Sequence, residues 1–208
     1  LAWGVGSSEC EHALATNTLV KKKPKSMLIN INGIPKDGVT AKDIILHLIS
    51  KHGANGANGH AIEFQGETID RMSIESRLTL CNMAVEFGAM TGIISPDKKT
   101  IEYISGKAFA PEKGDQKLAE EYWASLKSDD GAHFSKIIDI DASKLNTYVT
   151  WGTSPQHAIE IKDKIPSIDD ANSSKENTSI KKALDYMGLE ENDAIRGTKI
   201  DAAFIGSC

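Results

Sequence analysis

The sequence predicts an α/β protein, and three observations lead to this prediction. Short segments that predict strands, at residues 27–31, 61–64 and 91–95, alternate with segments of helical periodicity, the order that builds parallel sheets. Segment 73–88 is apolar on nearly every side of a helical wheel, as buried helices are. A run at residues 202–205 is apolar on both faces, which is typical of a parallel strand covered by helices.

The first half of the chain is predicted to form a strand, a helix and a second strand. Thr40 opens the helix, which runs through Ser50, and Asp43 occupies a near-capping-box position three residues on. Residues 53–59 then contain three glycines, which predicts a loop whose backbone bends sharply or approaches another group closely. This loop lacks the Lys and Ser/Thr of a phosphate-binding P-loop, so we do not interpret it as a nucleotide site.

The second half of the chain contains an amphipathic helix, two strands and a polar segment. The amphipathic helix is predicted at residues 118–126, and the two strands at 136–140 and 147–150. A second helix at 180–187 and a final strand at 202–205 follow the polar segment. Leu118, Tyr122 and Leu126 define the apolar face of the first helix. Residues 166–179 are mostly Asp, Asn, Ser, Lys and Glu, which predicts a solvated linker and the best candidate domain boundary.

Composition and charge exclude several classes of function. The 208 residues, of which 25% are charged and 40% hydrophobic, suit a soluble globular protein. A net charge of −5 gives nucleic-acid binding no electrostatic support. No apolar run approaches the roughly 20 residues of a membrane span. Three scattered cysteines are too few for a disulfide framework, so we expect a cytoplasmic protein.

Two polar residues stand out on the apolar helix predicted at 73–88. Asn82 lies within its apolar stripe and Glu86 at the edge, four residues apart and therefore on one side of the helix. Burying an ionised carboxylate without a partner is costly, so the presence of Glu86 beside Asn82 on this apolar helix has to be explained. Either Glu86 has a structural Arg or Lys partner, or it is an active-site acid or base with an orienting amide. The residue pattern leaves both interpretations open.

Cys208 directly follows the predicted strand at 202–205. Ligands of open α/β sheets bind just beyond the carboxyl ends of strands, so this is a candidate functional position. Most cytosolic cysteines, however, are buried and inert, and position alone favours that alternative. We also expect the sequence to be cut at both ends, because it stops at a strand end and does not begin with Met.

Several segments together resemble the aconitase superfamily, and the resemblance covers essentially the whole chain. The segments are Gly-Val-Gly-Ser-Ser-Glu at 4–9 with Glu-His-Ala-Leu-Ala-Thr at 11–16, Gly-Val-Thr-Ala-Lys-Asp-Ile at 38–44, Leu-Cys-Asn-Met-Ala-Val-Glu at 80–86, Val-Thr-Trp-Gly-Thr at 149–153 and Phe-Ile-Gly-Ser-Cys at 204–208. The segments at 81–86 and 206–208 are specific to the superfamily. Segment 7–16 looks like the branch that acts on isopropylmalate rather than aconitase proper.

The resemblance implies a fold, a cofactor and a chemistry. It implies aconitase-like α/β/α domains and a hydro-lyase that dehydrates and rehydrates its substrate at a [4Fe–4S] cluster. Cys208 matches one of three cysteine ligands of that cluster, while Asn82 and Glu86 match the pair that hydrogen-bonds substrate and its hydroxyl or water. In such a reaction an iron polarises the departing hydroxyl and a base removes a proton from the neighbouring carbon.

The chain departs from the complete family pattern, which implies an incomplete fragment. The family's other two cluster cysteines, its Asp-Ser-His segment and the swivelling-domain residues are not in this sequence. In the isopropylmalate branch the swivelling domain is a separate small subunit, which is the implied partner. The implied domains are residues 1–25 as the tail of a first α/β domain, 26–165 as a second, and 166–208 as a linker and the start of a third.

Two other functions remain open within this resemblance. One is a true aconitase or homoaconitase, against which segment 7–16 argues. The other is a non-enzymatic, RNA-binding relative of aconitase, against which the net charge of −5 argues.

Overall fold

A computed structural model describes residues 2–3, 5–112, 114–170 and 173–206 of the chain. Within these ranges there are seven strands: β1 Ala2–Trp3, β2 Lys25–Asn32, β3 His60–Gln65, β4 Thr91–Ile93, β5 Lys136–Asp141, β6 Tyr148–Thr150 and β7 Ala158–Glu160. They also include seven α-helices: α1 Ser7–Thr16, α2 Ala41–His52, α3 Glu67–Arg71, α4 Ile74–Met83, α5 Lys98–Ile104, α6 Gln116–Ala124 and α7 Ser174–Met187. Short 3-10 turns occupy Ala142–Lys144 and Ile168–Asp170.

Five of the strands form one mixed sheet in the order β1-β4-β3-β2-β5. The pairs β2–β3, β3–β4 and β2–β5 are parallel, and only the two-residue β1 runs antiparallel, on β4. Helices connect the parallel strands, since α2 lies between β2 and β3 and α4 between β3 and β4. The predicted α/β class is therefore confirmed. Strands β6 and β7 form a separate antiparallel pair.

The main core lies between the sheet and helices α2 and α4. Met27, Ile29 and Ile31, at alternate positions of β2, are completely buried, as period-2 alternation requires. They share one hydrophobic cluster with the apolar stripe of α2, which contributes Ile44, Ile45, Leu48 and Ile49. The opposite face of the sheet is polar near the carboxyl ends of its strands. There Gln65 donates to Asn30 and Asn30 donates to Asp139.

Helix α4 is shorter than the sequence predicts. It begins as expected, because Ser73 caps it by accepting a hydrogen bond from Ser76 N at 3.2 Å. It ends at Met83 instead of Gly88, and tight turns follow. Gly88 adopts φ +91°, a left-handed conformation that turns the chain towards β4. Apolar composition does not distinguish a buried helix from buried turns, which is why the predicted helix was too long.

The predicted linker at 166–179 is wrong in its second half, because α7 begins at Ser174. Ser173 caps this helix by accepting from Glu176 N at 3.2 Å, and the Ser-x-x-Glu spacing was the overlooked signal. The helix packs through one face onto a second, smaller hydrophobic cluster formed by Trp151, Ile165, Ile180, Ala183 and Leu184. The polar composition of residues 166–179 correctly predicts an exposed face of α7. It does not indicate the opposite face of the helix, which is buried on this cluster.

The predicted buried strand at 202–205 is also wrong. Residues 201–206 form no strand and are exposed, and the side chains of Phe204 and Ile205 are 96% accessible. A strand forms only when its backbone groups pair with a neighbour, and no described strand lies beside this segment. Hydropathy reports the side chains of a segment but not its pairing partner.

Helix α6 forms where the amphipathic pattern predicts a helix, but the apolar residues of that pattern are exposed. Leu118, Tyr122 and Leu126 are 70%, 62% and 52% exposed.

Among the described helices, none is both long enough and apolar enough to cross a membrane.

Candidate functional site

Three segments that lie far apart in the sequence line one cavity of about 550 Å³. The start of α2, the turn after α4, and β6 with its following loop each form one wall. The lining residues are Thr40, Lys42, Asp43, Leu46, Met83, Glu86, Tyr148, Val149, Thr150, Gly152, Thr153, Ser154 and Pro155. These walls coincide with the sequence segments 38–44, 80–86 and 149–153, on which much of the family resemblance depends.

Asp43 joins the first and third walls. Its Oδ2 accepts hydrogen bonds from Thr40 N and Thr40 Oγ1, both at 2.7 Å, which caps α2 as its sequence position predicts. Its Oδ1 accepts from Tyr148 N, also at 2.7 Å. The side chain is only 8% exposed, so three donors satisfy a buried carboxylate. The link to Tyr148 spans 105 residues of sequence, and no local pattern indicates it.

Tyr148 is held from a second side by His47. The Tyr148 hydroxyl lies 2.8 Å from His47 Nδ1, and the two rings meet edge to face. Burial, together with the nearby Glu160 carboxylate, raises the pKa of Tyr148 to about 12. Burial also lowers the pKa of His47, so both groups are neutral at pH 7 and this second link between β6 and α2 is uncharged.

The turn that carries Glu86 is fixed by its neighbour Phe87. The Phe87 ring is completely buried and lies over Gly56, where a Cβ would approach the ring to 2.1 Å. Phe87 O accepts from Ala57 N at 3.0 Å. The glycine-rich loop therefore does approach another group closely, as predicted, and that group is the turn bearing Glu86.

Glu86 is half-buried and lines the cavity. Among the described residues its carboxylate makes no ion pair and no hydrogen bond, so the Arg or Lys partner that the structural interpretation requires is not among them. Asn82 lies one turn earlier on α4, is also half-buried, and is not among the described residues that line the cavity. Since α4 ends at Met83, the two side chains are not successive members of one helical face as the sequence predicted.

A second cavity of about 640 Å³ lies on another side of the loop after β6. Trp151, Gln156 and His157 of that loop contribute to it, with residues from α2 and α7. It contains neither Glu86 nor Asp43. Although it is slightly larger, it takes only Trp151 from the three family segments, so we regard the 550 Å³ cavity as the candidate active site.

The described residues do not form a ligand set for an iron–sulfur cluster. No group of three or more His, Cys, Asp or Glu side chains among them could hold a metal ion. Cys10 is exposed on α1, and Cys81 is buried, with a pKa raised by that burial, so its thiol stays protonated. Cys208, the predicted ligand, lies outside the described residues.

The geometry defines an α/β domain with a carboxylate-bearing cavity, and comparison with known proteins places it. Residues 1–208 match the aconitase family (aconitate hydratase). The chain belongs to the aconitase family, which confirms the resemblance described above.

Curated relatives give a more specific similarity. The chain is 49% identical over all 208 residues to the 3-isopropylmalate dehydratase large subunit of Campylobacter jejuni serotype O:6 strain 81116, and 49% identical to that of strain 81-176. It is 48% identical to the protein of the same name from strain RM1221. In each case the match covers 100% of this chain but 44% of the relative, so the chain spans less than half of the relatives' length.

Proposed function

We propose that this chain is part of the large subunit of a 3-isopropylmalate dehydratase. That enzyme would interconvert 2-isopropylmalate and 3-isopropylmalate in leucine biosynthesis, by dehydration followed by rehydration. The observation that carries the proposal is that Glu86, whose carboxylate has no partner among the described residues, lines a cavity built from the three family segments. The 49% identity to proteins of that name supports the choice of substrate.

In this proposal Glu86 transfers a proton at the hydroxyl that leaves as water and later returns. The reaction removes a hydrogen from one carbon and a hydroxyl from its neighbour, forms a carbon–carbon double bond and water, and then adds both back in the opposite positions. A carboxylate that makes no ion pair with the described residues can take and return a proton without breaking a structural contact. On the family resemblance Asn82 would orient the reacting groups through its amide, although it is not among the described residues that line the cavity.

We further propose a [4Fe–4S] cofactor, with Cys208 as one of its three cysteine ligands, on the strength of the family resemblance. The described residues do not themselves contain a ligand set for the cluster. The same resemblance supports a separate small subunit as partner, and the three scattered cysteines support a cytoplasmic location. The resemblance also supports the division into residues 1–25, 26–165 and 166–208. Because β1 pairs with β4, the first boundary requires a strand pairing between two units.

An assay of the complete enzyme tests the proposed function. The full-length large subunit, with its cluster assembled anaerobically, is measured with and without the small subunit on isopropylmalate and on citrate. We expect turnover of isopropylmalate that depends on the small subunit. Activity confined to citrate would contradict the proposed substrate, and full activity from the large subunit alone would contradict the partner.

A further inference from the structure

The loop between β6 and β7 folds back on itself and so presents a fixed wall to the candidate active site. Trp151 N donates to His157 O at 2.9 Å, and His157 N donates to Ser154 O at 2.9 Å. The Trp151 side chain is 3% exposed and belongs to the second hydrophobic cluster, which anchors the loop at its base. Residues 152–155, within this folded loop, line the same cavity as Glu86 and Asp43.

The His157 ring fills the interior of this loop. It is only 7% exposed and stacks on Trp151, with ring centroids 4.6 Å apart and an interplanar angle of 21°. On another side it touches Gly152 so closely that a Cβ there would lie 2.3 Å from His157 Nδ1. The imidazole is therefore enclosed between Trp151 and Gly152, and any larger residue at position 152 would displace it or the loop.

His157 makes these contacts through its shape, since its Nδ1 has no hydrogen-bond partner among the described residues. Buried polar atoms are nearly always hydrogen-bonded, so an unpaired one calls for an explanation. Burial lowers the pKa of His157, which keeps the ring neutral and suited to stacking. The described titratable groups that share the neighbouring cavity are Lys51 on α2 and Glu176 on α7.

We propose that His157 is a positioning residue, whose ring sets where residues 152–155 stand in the substrate cavity. This inference rests on the proposed function and deepens it. Gly152, Thr153 and Ser154 line that cavity. Backbone N–H groups and the hydroxyls of Thr and Ser are donors that suit a substrate carboxylate. Glu86 lies on a different wall and performs the proton transfer. Displacing the loop therefore weakens substrate binding more than it slows the chemical step.

Four variants of the complete enzyme test this role. His157→Ala removes the ring and should raise KM by about tenfold or more with kcat changed less than about threefold, because misplaced binding groups alone cost this much. His157→Phe keeps a planar ring on Trp151, lacks the unpaired nitrogen, and should stay within about threefold of the native KM. Gly152→Ala should also raise KM. In Gly152→Ala/His157→Ala the added methyl enters space that the ring has vacated, so the KM increase should be smaller than the product of the two single increases.

Hydrogen exchange of the amides at 152–156, measured on the same samples, gives a readout independent of turnover. Exchange should be faster in His157→Ala and unchanged in His157→Phe. The matched control is His133→Ala, since His133 is exposed and distant in sequence from the loop, and neither KM nor loop exchange should change.

Several results would overturn the inference. A folded His157→Ala enzyme with native KM and native loop exchange shows that the ring positions nothing. Equal impairment of His157→Phe shows that the nitrogen, not the ring, is what matters. If His157→Ala does not fold, Gly152→Ala decides, and a native KM there refutes the role of this contact. If the enzyme does not act on isopropylmalate, the proposed function is wrong. Hydrogen exchange of the amides at 152–156 then still tests whether His157 positions the loop.

Discussion

At the scale of single residues, Arg77 shows how the chain accommodates a buried charge on α4, the helix that precedes the turn bearing Glu86. Its side chain is 5% exposed, and its guanidinium donates two hydrogen bonds to Asp97, at 2.8 and 2.6 Å. Arg77 Nε also donates to Ile69 O, which ties α4 to α3. The pairing with Arg77 lowers the pKa of Asp97 from 3.8 to about 2. The ion pair thus joins α3, α4 and the cap of α5.

This pKa shift predicts acid sensitivity with a definite direction. Because the Asp97 pKa is lower in the folded state, the stabilisation is complete above pH 3.8 and is lost as the pH falls through about 2. Asp97→Asn keeps a good helix cap but removes the charge. We expect it to lower the free energy of unfolding at pH 7 by about 1–2 kcal/mol, a value reduced because Asp97 is 37% exposed.

Urea unfolding at pH 7 and at pH 2.5 measures this effect. The difference between native and Asp97→Asn proteins should shrink at the lower pH. Asp129→Asn, at an exposed position, serves as the control and should change little at either pH. A difference that is independent of pH would show that the Arg77–Asp97 charge pair is not its source.

At the scale of elements, the close contact between α4 and β4 determines where Glu86 stands. A Cβ added at Gly92 would lie 2.9 Å from Cys81 Cα, 2.9 Å from Ala84 Cβ and 3.0 Å from Cys81 O. The helix end therefore packs on the strand at a distance that only glycine permits. Any larger residue at position 92 must push the end of α4 away from the sheet, and the cavity wall formed by the end of α4 moves with it.

Gly92→Ala should accordingly affect both stability and turnover. We expect a loss of about 1–3 kcal/mol in the free energy of unfolding, the usual cost of overpacking a well-packed core. Turnover of the complete enzyme should fall as well, because Glu86 moves. Gly114→Ala adds the same methyl in open space and should leave both unchanged. Native stability in Gly92→Ala would mean that the contact between α4 and β4 is loose enough to adapt.

Elements with local signals were predictable from sequence, and those that depend on a distant partner were not. The strand predicted at 27–31 and the near-capping box of Thr40 and Asp43 indicated β2 and α2 correctly. The end of α4 was missed because it depends on Phe87 packing over Gly56, a contact made across 31 positions of sequence. The segment 202–205 was mistaken for a strand because its apolar side chains say nothing about a neighbouring strand.

At the scale of the whole molecule, the site is formed by segments that lie far apart in the sequence. The sequence indicates these segments one by one but not how they are arranged in space. The family resemblance nominated Glu86 and Asn82, but only the fold shows that Glu86 faces a cavity with Asp43 and the loop at 152–155. The hydrogen bond from Tyr148 to Asp43 and the stacking of His157 on Trp151 have no sequence signature. Both position the walls of the cavity rather than react.

The 208-residue chain alone should not retain a stable iron–sulfur cluster. Its three cysteines are at 10, 81 and 208, and the two described ones are an exposed residue on α1 and a buried thiol in α4. Fe–S clusters need several cysteine thiolates in one place. After anaerobic reconstitution with iron and sulfide and removal of excess reagents, we expect iron well below one cluster per chain. Stoichiometric iron with a broad visible thiolate-to-iron absorbance band would contradict this.

The central claim is that Glu86 is a catalytic group and not a structural one, and Glu86→Gln tests it most directly. The variant is made in the complete enzyme, and iron content, melting temperature and turnover of isopropylmalate are measured on one sample. Glu75→Gln, at an exposed position on α4, the helix that precedes the turn bearing Glu86, is the matched control and should behave as native. We expect Glu86→Gln to keep its iron and its melting temperature while turnover falls about 10²-fold or more, the usual scale for losing one acid–base group. Near-normal turnover with a sharply lower melting temperature would contradict the claim.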